Sequence, residues 1–321
     1  MLKPSHGEAS LADPHFRADV LSGLAARPRA IPARWFYDRR GSELFEAITA
    51  LPEYYPTRTE AALLDRICPE LDVAPGAAVV EFGSGSSAKT PILLRCIDPA
   101  AYVPIDISGD FLRQSARELA ADFPGLAVLP LEADFLRPVP LPEQVAGLPK
   151  LGFFPGSTIG NMDAYQAVDL LRVMRTWLGE GARLLIGMDR VKSPDILVPA
   201  YDDAQGVTAA FNLNLLERIN RELAGTVPVN AFRHRAIWND EASRIEMHLE
   251  ATRDVAFEVE GRSFAMAAGE TIHTENSHKY GERGARLMLR AGGWTPVREW
   301  TDPQGWFSLI LAEAQPVARA P

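Results

Sequence analysis

From Ala77 onward the chain alternates short apolar runs with amphipathic stretches, and no other feature limits its fold so severely. AAVVEFG (77–83) passes through a Gly/Ser loop into the helical pattern KTPILLRCI (89–97). AYVPIDIS (101–108) passes into FLRQSARELAADF (111–123), and LAVLPLEADF (126–135) forms a third apolar run. KLGFFPG (150–156) leads to the helical pattern AYQAVDLLRVMRTWL (164–178), and ARLLIGMDRV (182–191) is the fifth run. Strands separated by helices predict a parallel, doubly wound α/β sheet. After Val191 the rhythm breaks. Residues 194–280 read as an α+β insertion: a long helix, TAAFNLNLLERINRELA (208–224), then strands with hairpin breaks at Asn239-Asp240 and Glu260-Gly261. The α/β pattern resumes with the helix ERGARLMLRAG (282–292) and two strands, 294–302 and 306–314, close enough to pair as an antiparallel hairpin. Upstream, Gly41–Ala50 has a short amphipathic helix pattern that LPEYYP (51–56) breaks, and a further helix reads from Glu60 to Ile67. The expected organisation is a discontinuous sheet domain (59–193 and 281–321) and a second, substrate-binding α+β lobe (15–58 and 194–280).

Composition removes several classes of function. A formal net charge of -9 and the absence of a long basic cluster argue against a nucleic-acid partner. No apolar run approaches the roughly 18 residues of a membrane helix, and the N-terminus MLKPSHGEASLADP lacks an apolar signal core. Two cysteines, Cys68 and Cys96, without CxxC spacing, suggest unpaired thiols in a reducing cytoplasm. The six histidines form no HExxH-like pattern, and His273 and His278, in a polar segment, recommend no metal site.

The loop EFGSGSSA (81–88) follows a strand and opens a helix. Gly83 and Gly85 let the backbone turn and approach a ligand, which suits a dinucleotide, S-adenosylmethionine, or a tight turn with no ligand at all. Three acids bear on the choice, although either cofactor would want the second. Glu81 before the first glycine suits a cationic ligand better than a pyrophosphate; Asp106, ending the second strand, can accept both ribose hydroxyls. Asp134-Phe135, ending the third, can take an adenine amino group while the ring packs nearby. With the C-terminal hairpin, the set is that of a class I methyltransferase; a nicotinamide-dependent oxidoreductase is the remote alternative. A second loop, PGSTIGN (155–161), ends the fourth strand in small neutral groups, as if to let something approach its backbone.

WFYD (35–38), LPEYYPTRTE (51–60), EFGSGSSAKT (81–90), FFPGSTIGN (153–161), AYDDAQGVTAAFN (200–212), RIEMHL (244–249) and TENSHKY (274–280) occur in that order. Together they resemble the ergothioneine-pathway L-histidine Nα-methyltransferase family. The resemblance implies S-adenosylmethionine as cofactor, released as S-adenosylhomocysteine, and L-histidine as acceptor, trimethylated to hercynine by a monomer. It implies cofactor contacts at Gly83, Lys89, Asp106, Asp134 and Phe135, beside the Glu81 and Gly85 read from spacing. Gly156 would offer its backbone to the α-amino group, Asn161 would bind the amino-acid head, and Tyr201 would grip the carboxylate. Tyr54, Glu275, Asn276 and Ser277 would read the imidazole, with Met247 bordering it and Tyr37 and Phe45 lining the amine region. Asn161 and Tyr37 are the candidates closest to the chemistry, Tyr37 or water taking the ammonium proton. Packing between the lobes is the alternative role for Tyr37 and Phe45, and a strand core accounts for Met247 as well as a substrate does. Related enzymes methylate other amino acids, so the acceptor rests on the pocket.

Overall fold

A computed structural model describes residues 13–85, 89–135, 137 and 139–316. The glycine-loop residues Ser86, Ser87 and Ala88 lie outside that set. Helix α1 (Pro14–Ala25) starts at Asp13, whose carboxylate accepts from the His15 N–H, with proline in its first turn. After the short strand β1 (Arg29–Ala30), Asp38 caps α2 (Arg39–Thr49) by accepting from the Gly41 N–H, and α3 (Tyr55–Ile67) follows. The alternating region forms β2 (Ala78–Phe82), α4 (Thr90–Ile97), β3 (Ala101–Asp106), α5 (Gly109–Asp122), β4 (Ala127–Val128) and β5 (Leu131–Glu132). It continues through β6 (Lys150–Phe154), α6 (Ala164–Leu178) and β7 (Arg183–Asp189). Next come α7 (Pro194–Tyr201), α8 (Val207–Glu222), β8 (Phe232–Asn239), β9 (Arg244–Ala251), β10 (Val255–Val259), β11 (Arg262–Met266) and β12 (Thr271–His278). Helix α9 (Glu282–Ala291), β13 (Trp294–Thr301) and β14 (Phe307–Ala314) close the chain.

The main sheet runs β13-β14-β7-β6-β2-β3-β4, with β5 also on β3. Strands β2 to β7 pair in parallel, whereas β14 is antiparallel to both of its neighbours. This is the doubly wound sheet with an antiparallel C-terminal hairpin of a class I methyltransferase. Every residue of β2 is buried, as a central strand covered on both faces requires. The chain leaves β2 toward β3 and later returns on its other side as β6. The loops after β2 and β6 therefore diverge, and a crevice opens between them at the carboxyl ends of the strands.

A second sheet, β1-β12-β9-β8, closes over a separate core. That core joins Phe16 and Trp35 from the N-terminal segment to Phe211 of α8, Leu249 of β9 and Ile272 of β12. The expected third strand is two short pieces, because Pro130 between them has no N–H to donate. The segment read as polar around His273 is β12, an interior strand of the second sheet. The expectation of unpaired thiols is also corrected: Cys68 and Cys96 form a disulfide. The ends of α3 and α4 lie side by side there, with the two Cα atoms 5.6 Å apart. The inference of a reducing compartment from free cysteines loses its basis. Among the described residues, no helix is long and apolar enough to cross a membrane.

Candidate active site

The crevice widens into a cavity of about 950 Å³ bounded by both sheets, a volume suited to small-molecule ligands. On the main-sheet side it is lined by Glu81, Gly83, Gly85, Lys89, Asp106, Asp134 and Phe135. Gly83 and Gly85 have φ of 72° and 50°, a region that disfavours side chains. A Cβ on Gly83 would sit 3.3 Å from the Phe135 ring, so the turn also leaves room beside that ring. The Asp106 carboxylate accepts the Gly85 N–H at 3.0 Å and the Ser108 N–H at 2.9 Å, tying the two loops together. A carboxylate has about four lone-pair sites, so its bonds to the described residues leave two for hydroxyls of a ligand. Arg34 reaches to 3.8 Å from Asp134 across the mouth of the cavity.

Two residues depart from their expected environments. Glu81 is buried, and its Oε2 accepts from the Thr90 hydroxyl at 2.6 Å and the Tyr102 hydroxyl at 2.5 Å. Burial pushes its carboxyl up to about 7, against the pull of those hydroxyls and Lys89. It is a buried, hydroxyl-bonded acid rather than an open charge. Lys89 lies 2.5 Å from the buried carboxylate of Glu60, which also accepts the Gly156 N–H at 2.7 Å. Glu60 therefore fixes Lys89 and the loop after β6 together, and leaves only the Gly156 carbonyl for an amine.

The opposite side is built from side chains. Tyr37, Phe45, Tyr54 and Tyr201 line it as a chain of edge-on rings. Centroids are 5.7 Å apart for Tyr37–Phe45, 6.2 Å for Phe45–Tyr54 and 6.1 Å for Tyr54–Tyr201. Phe211, unassigned from sequence, backs this wall at 5.8 Å from Tyr37. Burial, followed by nearby acids and phenols, pushes the Tyr37 and Tyr54 hydroxyls well above their ordinary range; burial and Asp189 do the same for Tyr201. All three are neutral at physiological pH. Tyr37 is thus a hydrogen-bonding phenol rather than a phenolate base.

Strand β12 supplies the rest. Its pairing with β9 slips between His273 and Glu275, so that His273 faces His248 and Glu275 faces the next residue along, Met247. Thr274 is the extra residue, and its hydroxyl donates to the Met247 carbonyl at 3.0 Å. The bulge gathers Glu275, Asn276 and Ser277 with Met247 at the cavity. Asn161, in the turn after β6, donates its amide to Glu275 Oε1 at 3.0 Å. Burial raises the Glu275 carboxyl to about 7, opposed by the Lys279 charge and the Asn161 amide.

Strand pairing also creates a grouping that linear spacing missed. Glu246, His248 and His273 each place one ligand-type atom within 4.8 Å of the others. Glu246 is already bound by Arg244 at 2.6 Å and by Asn239 at 2.9 Å, and those partners hold its carboxyl down at about 2 despite burial. His248 Nε2 lies 3.2 Å from Glu246 Oε2, so Glu246 is occupied on both oxygens.

With this geometry, the sequence comparisons fall into place. A family profile described as "Histidine-specific methyltransferase, SAM-dependent" matches residues 16–314. The chain belongs to this family. It is 41% identical to the histidine N-alpha-methyltransferase of Mycolicibacterium smegmatis over 310 residues, covering 92% of this chain and 94% of that protein. It is 40% identical to the enzyme of the same name from Mycobacterium tuberculosis over 303 residues, with the same coverage. Ergothioneine biosynthesis protein 1 of Neurospora crassa is 28% identical over 306 residues, covering 90% of this chain and 34% of that larger protein. For this histidine-specific methyltransferase, the residues singled out in the sequence converge on one cavity. Glu60, Phe211, Asp189 and Lys279 were missed. Glu60 and Lys279 fall inside recognisable motifs, but their partners lie far along the chain.

Proposed function

We propose that the protein transfers three methyl groups in succession from S-adenosylmethionine to the α-amino nitrogen of L-histidine, giving hercynine for ergothioneine biosynthesis. The observation that carries this reading is Glu275, a half-buried acid at the cavity surface, steadied by Asn161 and adjoining an aromatic wall. Neutral imidazole has one N–H donor and one acceptor; Glu275 takes the donor, and the Tyr54 hydroxyl or Asn276 serves the other nitrogen. An indole would leave much of that polar surface unanswered.

The donor-side residues fit the cofactor. Asp106 retains lone pairs for two ribose hydroxyls, Asp134 and Phe135 suit an adenine edge and face, and Lys89 suits a carboxylate. When bound, S-adenosylmethionine supplies an electrophilic methyl group. The protein's task is to present a neutral amine in line and exclude water, and orientation of this kind contributes much of the acceleration. The Gly156 carbonyl and the Asn161 amide oxygen are acceptors that orient the amine hydrogens. Tyr37 and Phe45 offer π faces to the cation that grows with each methylation. The ammonium proton leaves through water, Tyr37 being neutral. The family resemblance suggests a monomer, divided into the sheet domain (59–193 and 281–321) and the substrate-binding lobe (15–58 and 194–280).

The test is mass spectrometry of L-histidine incubated with enzyme and S-adenosylmethionine. Successive mono-, di- and trimethylated products are expected. No methylated histidine would overturn the reading, and a halt at one methyl group would overturn the trimethylation.

A further inference from the structure

Behind the cavity wall, the ends of β7 and β12 meet at a buried group of charges that the reaction described above leaves unused. Asp189 is fully buried, yet its carboxyl lies below the usual range because the Lys279 and Lys192 charges outweigh the effect of burial. Lys279 has no exposed side-chain surface and sits 2.7 Å from Asp189 Oδ2. It also donates to the Tyr201 hydroxyl at 2.9 Å and to the Ser277 hydroxyl at 2.8 Å, which uses all three of its N–H donors. Lys192 lies 2.5 Å from Asp189 Oδ1 and donates to the Tyr55 hydroxyl at 2.7 Å. Burial lowers Lys192 to about 8, so it remains largely charged at neutral pH.

Two ammonium groups therefore share one carboxylate in direct contact, a local surplus of positive charge that the more distant Asp302 and Glu275 offset in part. Such a charge is costly unless a partner answers it. The hydroxyls of Tyr201 and Ser277 are 2.7 Å apart and both line the cavity. Each oxygen accepts from Lys279, and the pair owns two protons. One proton makes their mutual hydrogen bond, so the other is left to donate outside the pair. A cavity-side hydroxyl proton backed by surplus positive charge is a receptor for an anion. Glu275, the acid facing the group from the cavity, is held by the Asn161 amide.

We propose that Lys279 positions the acceptor's α-carboxylate, acting through Tyr201 and Ser277, and thereby selects free amino acids over their amides and decarboxylated amines. The inference rests on the amino-acid methyltransferase reading above. Lys279→Met is the decisive variant, because Asp189 keeps Lys192 and Tyr55 as partners. Calorimetric titrations with S-adenosylhomocysteine at saturation would compare L-histidine, L-histidinamide and histamine. Lys279→Met is expected to weaken L-histidine about thirtyfold, the scale of a charge-assisted hydrogen bond. It should leave L-histidinamide, histamine and cofactor affinity nearly unchanged, and raise KM for histidine with little change in kcat. Equal weakening of acid and amide would show a merely structural role and overturn the proposal. Should the variant not fold, wild-type enzyme decides: binding the amide as tightly as the acid overturns the proposal, and a strong preference for the acid supports it. Wild-type enzyme that methylates no histidine fails the proposed function and this inference with it. Methylation of histidine with an acid-to-amide ratio unaffected by Lys279→Met fails this inference alone.

Discussion

The two halves of the cavity are made by different means. The donor half is backbone turns and strand-end acids of one sheet, where Gly83, Gly85 and Asp106 are set by chain direction alone. The acceptor half is assembled from side chains of α2, the start of α3, the turn after β6, the end of α7, β9 and β12. Crosslinks join them: the Ser108 hydroxyl donates to the Tyr37 carbonyl at 3.2 Å, and Glu60 holds both Lys89 and the Gly156 N–H. Topology thus dictates the first half, and packing dictates the second. Substitutions should respect the division: donor-half changes alter cofactor binding, and acceptor-half changes alter which amino acid is taken.

The largest effect is expected at Asp106. Asp106→Ala should weaken S-adenosylhomocysteine by on the order of a hundred- to ten-thousandfold, the loss of two hydrogen bonds to a charged group. The fold should survive, and unchanged calorimetric affinity would remove Asp106 from the donor half. A second effect is electrostatic. Glu275 titrates at about 7 in the folded protein, against about 4.3 in an unfolded chain. Its raised value gives stability that is fully present below about pH 4.3 and lost as pH rises through 7. Glu275→Gln lacks this loss, so its unfolding free energy should gain on wild type by on the order of 3 kcal/mol between pH 5 and 8. A pH-independent difference in denaturant melts would mean that Glu275 is not desolvated.

The same residue sharpens the comparison through selectivity. Glu275→Gln should lower kcat/KM for histidine by about ten- to a hundredfold with cofactor affinity unchanged, because an amide oxygen accepts more weakly. Glu275→Ala should raise tryptophan relative to histidine in competition assays read by mass spectrometry. A preference that stays fixed in both variants would leave Glu275 a packing residue. The smallest effects are expected at the amino-acid head. Asn161→Ala and Tyr201→Phe should each weaken histidine about tenfold, a single hydrogen bond's worth. If either weakened the cofactor equally, the boundary between the halves would be drawn in the wrong place.

The same contrast explains what could be read from the sequence. The doubly wound sheet and the donor site follow from local pattern: apolar runs alternating with helices, glycines after one run and an acid at the end of the next. The helix at 164–178 was legible residue for residue because Asp163 and Gln166 box its start and Gly179 ends it. β12 was illegible, since TIHTENSH has no apolar alternation and is held by hydrogen bonds such as Thr274 to Met247 and Asn161 to Glu275. The acceptor residues emerged only through family resemblance, and no local signal marks Glu60 or Lys279. Their meaning depends on Gly156 and Asp189, far along the chain.

The bulge at Thr274 has a consequence for how such an enzyme changes substrate. Side chains alternate between the faces of a strand, so chain length around that residue sets which way all that follow will point. Loss of one residue there would turn Glu275, Asn276 and Ser277 each to the opposite face of the strand, while β9 stayed as it is. Everything these three side chains offer the acceptor would change in a single genetic event. A one-codon deletion at this point is a shorter evolutionary route to a new amino-acid preference than any series of substitutions.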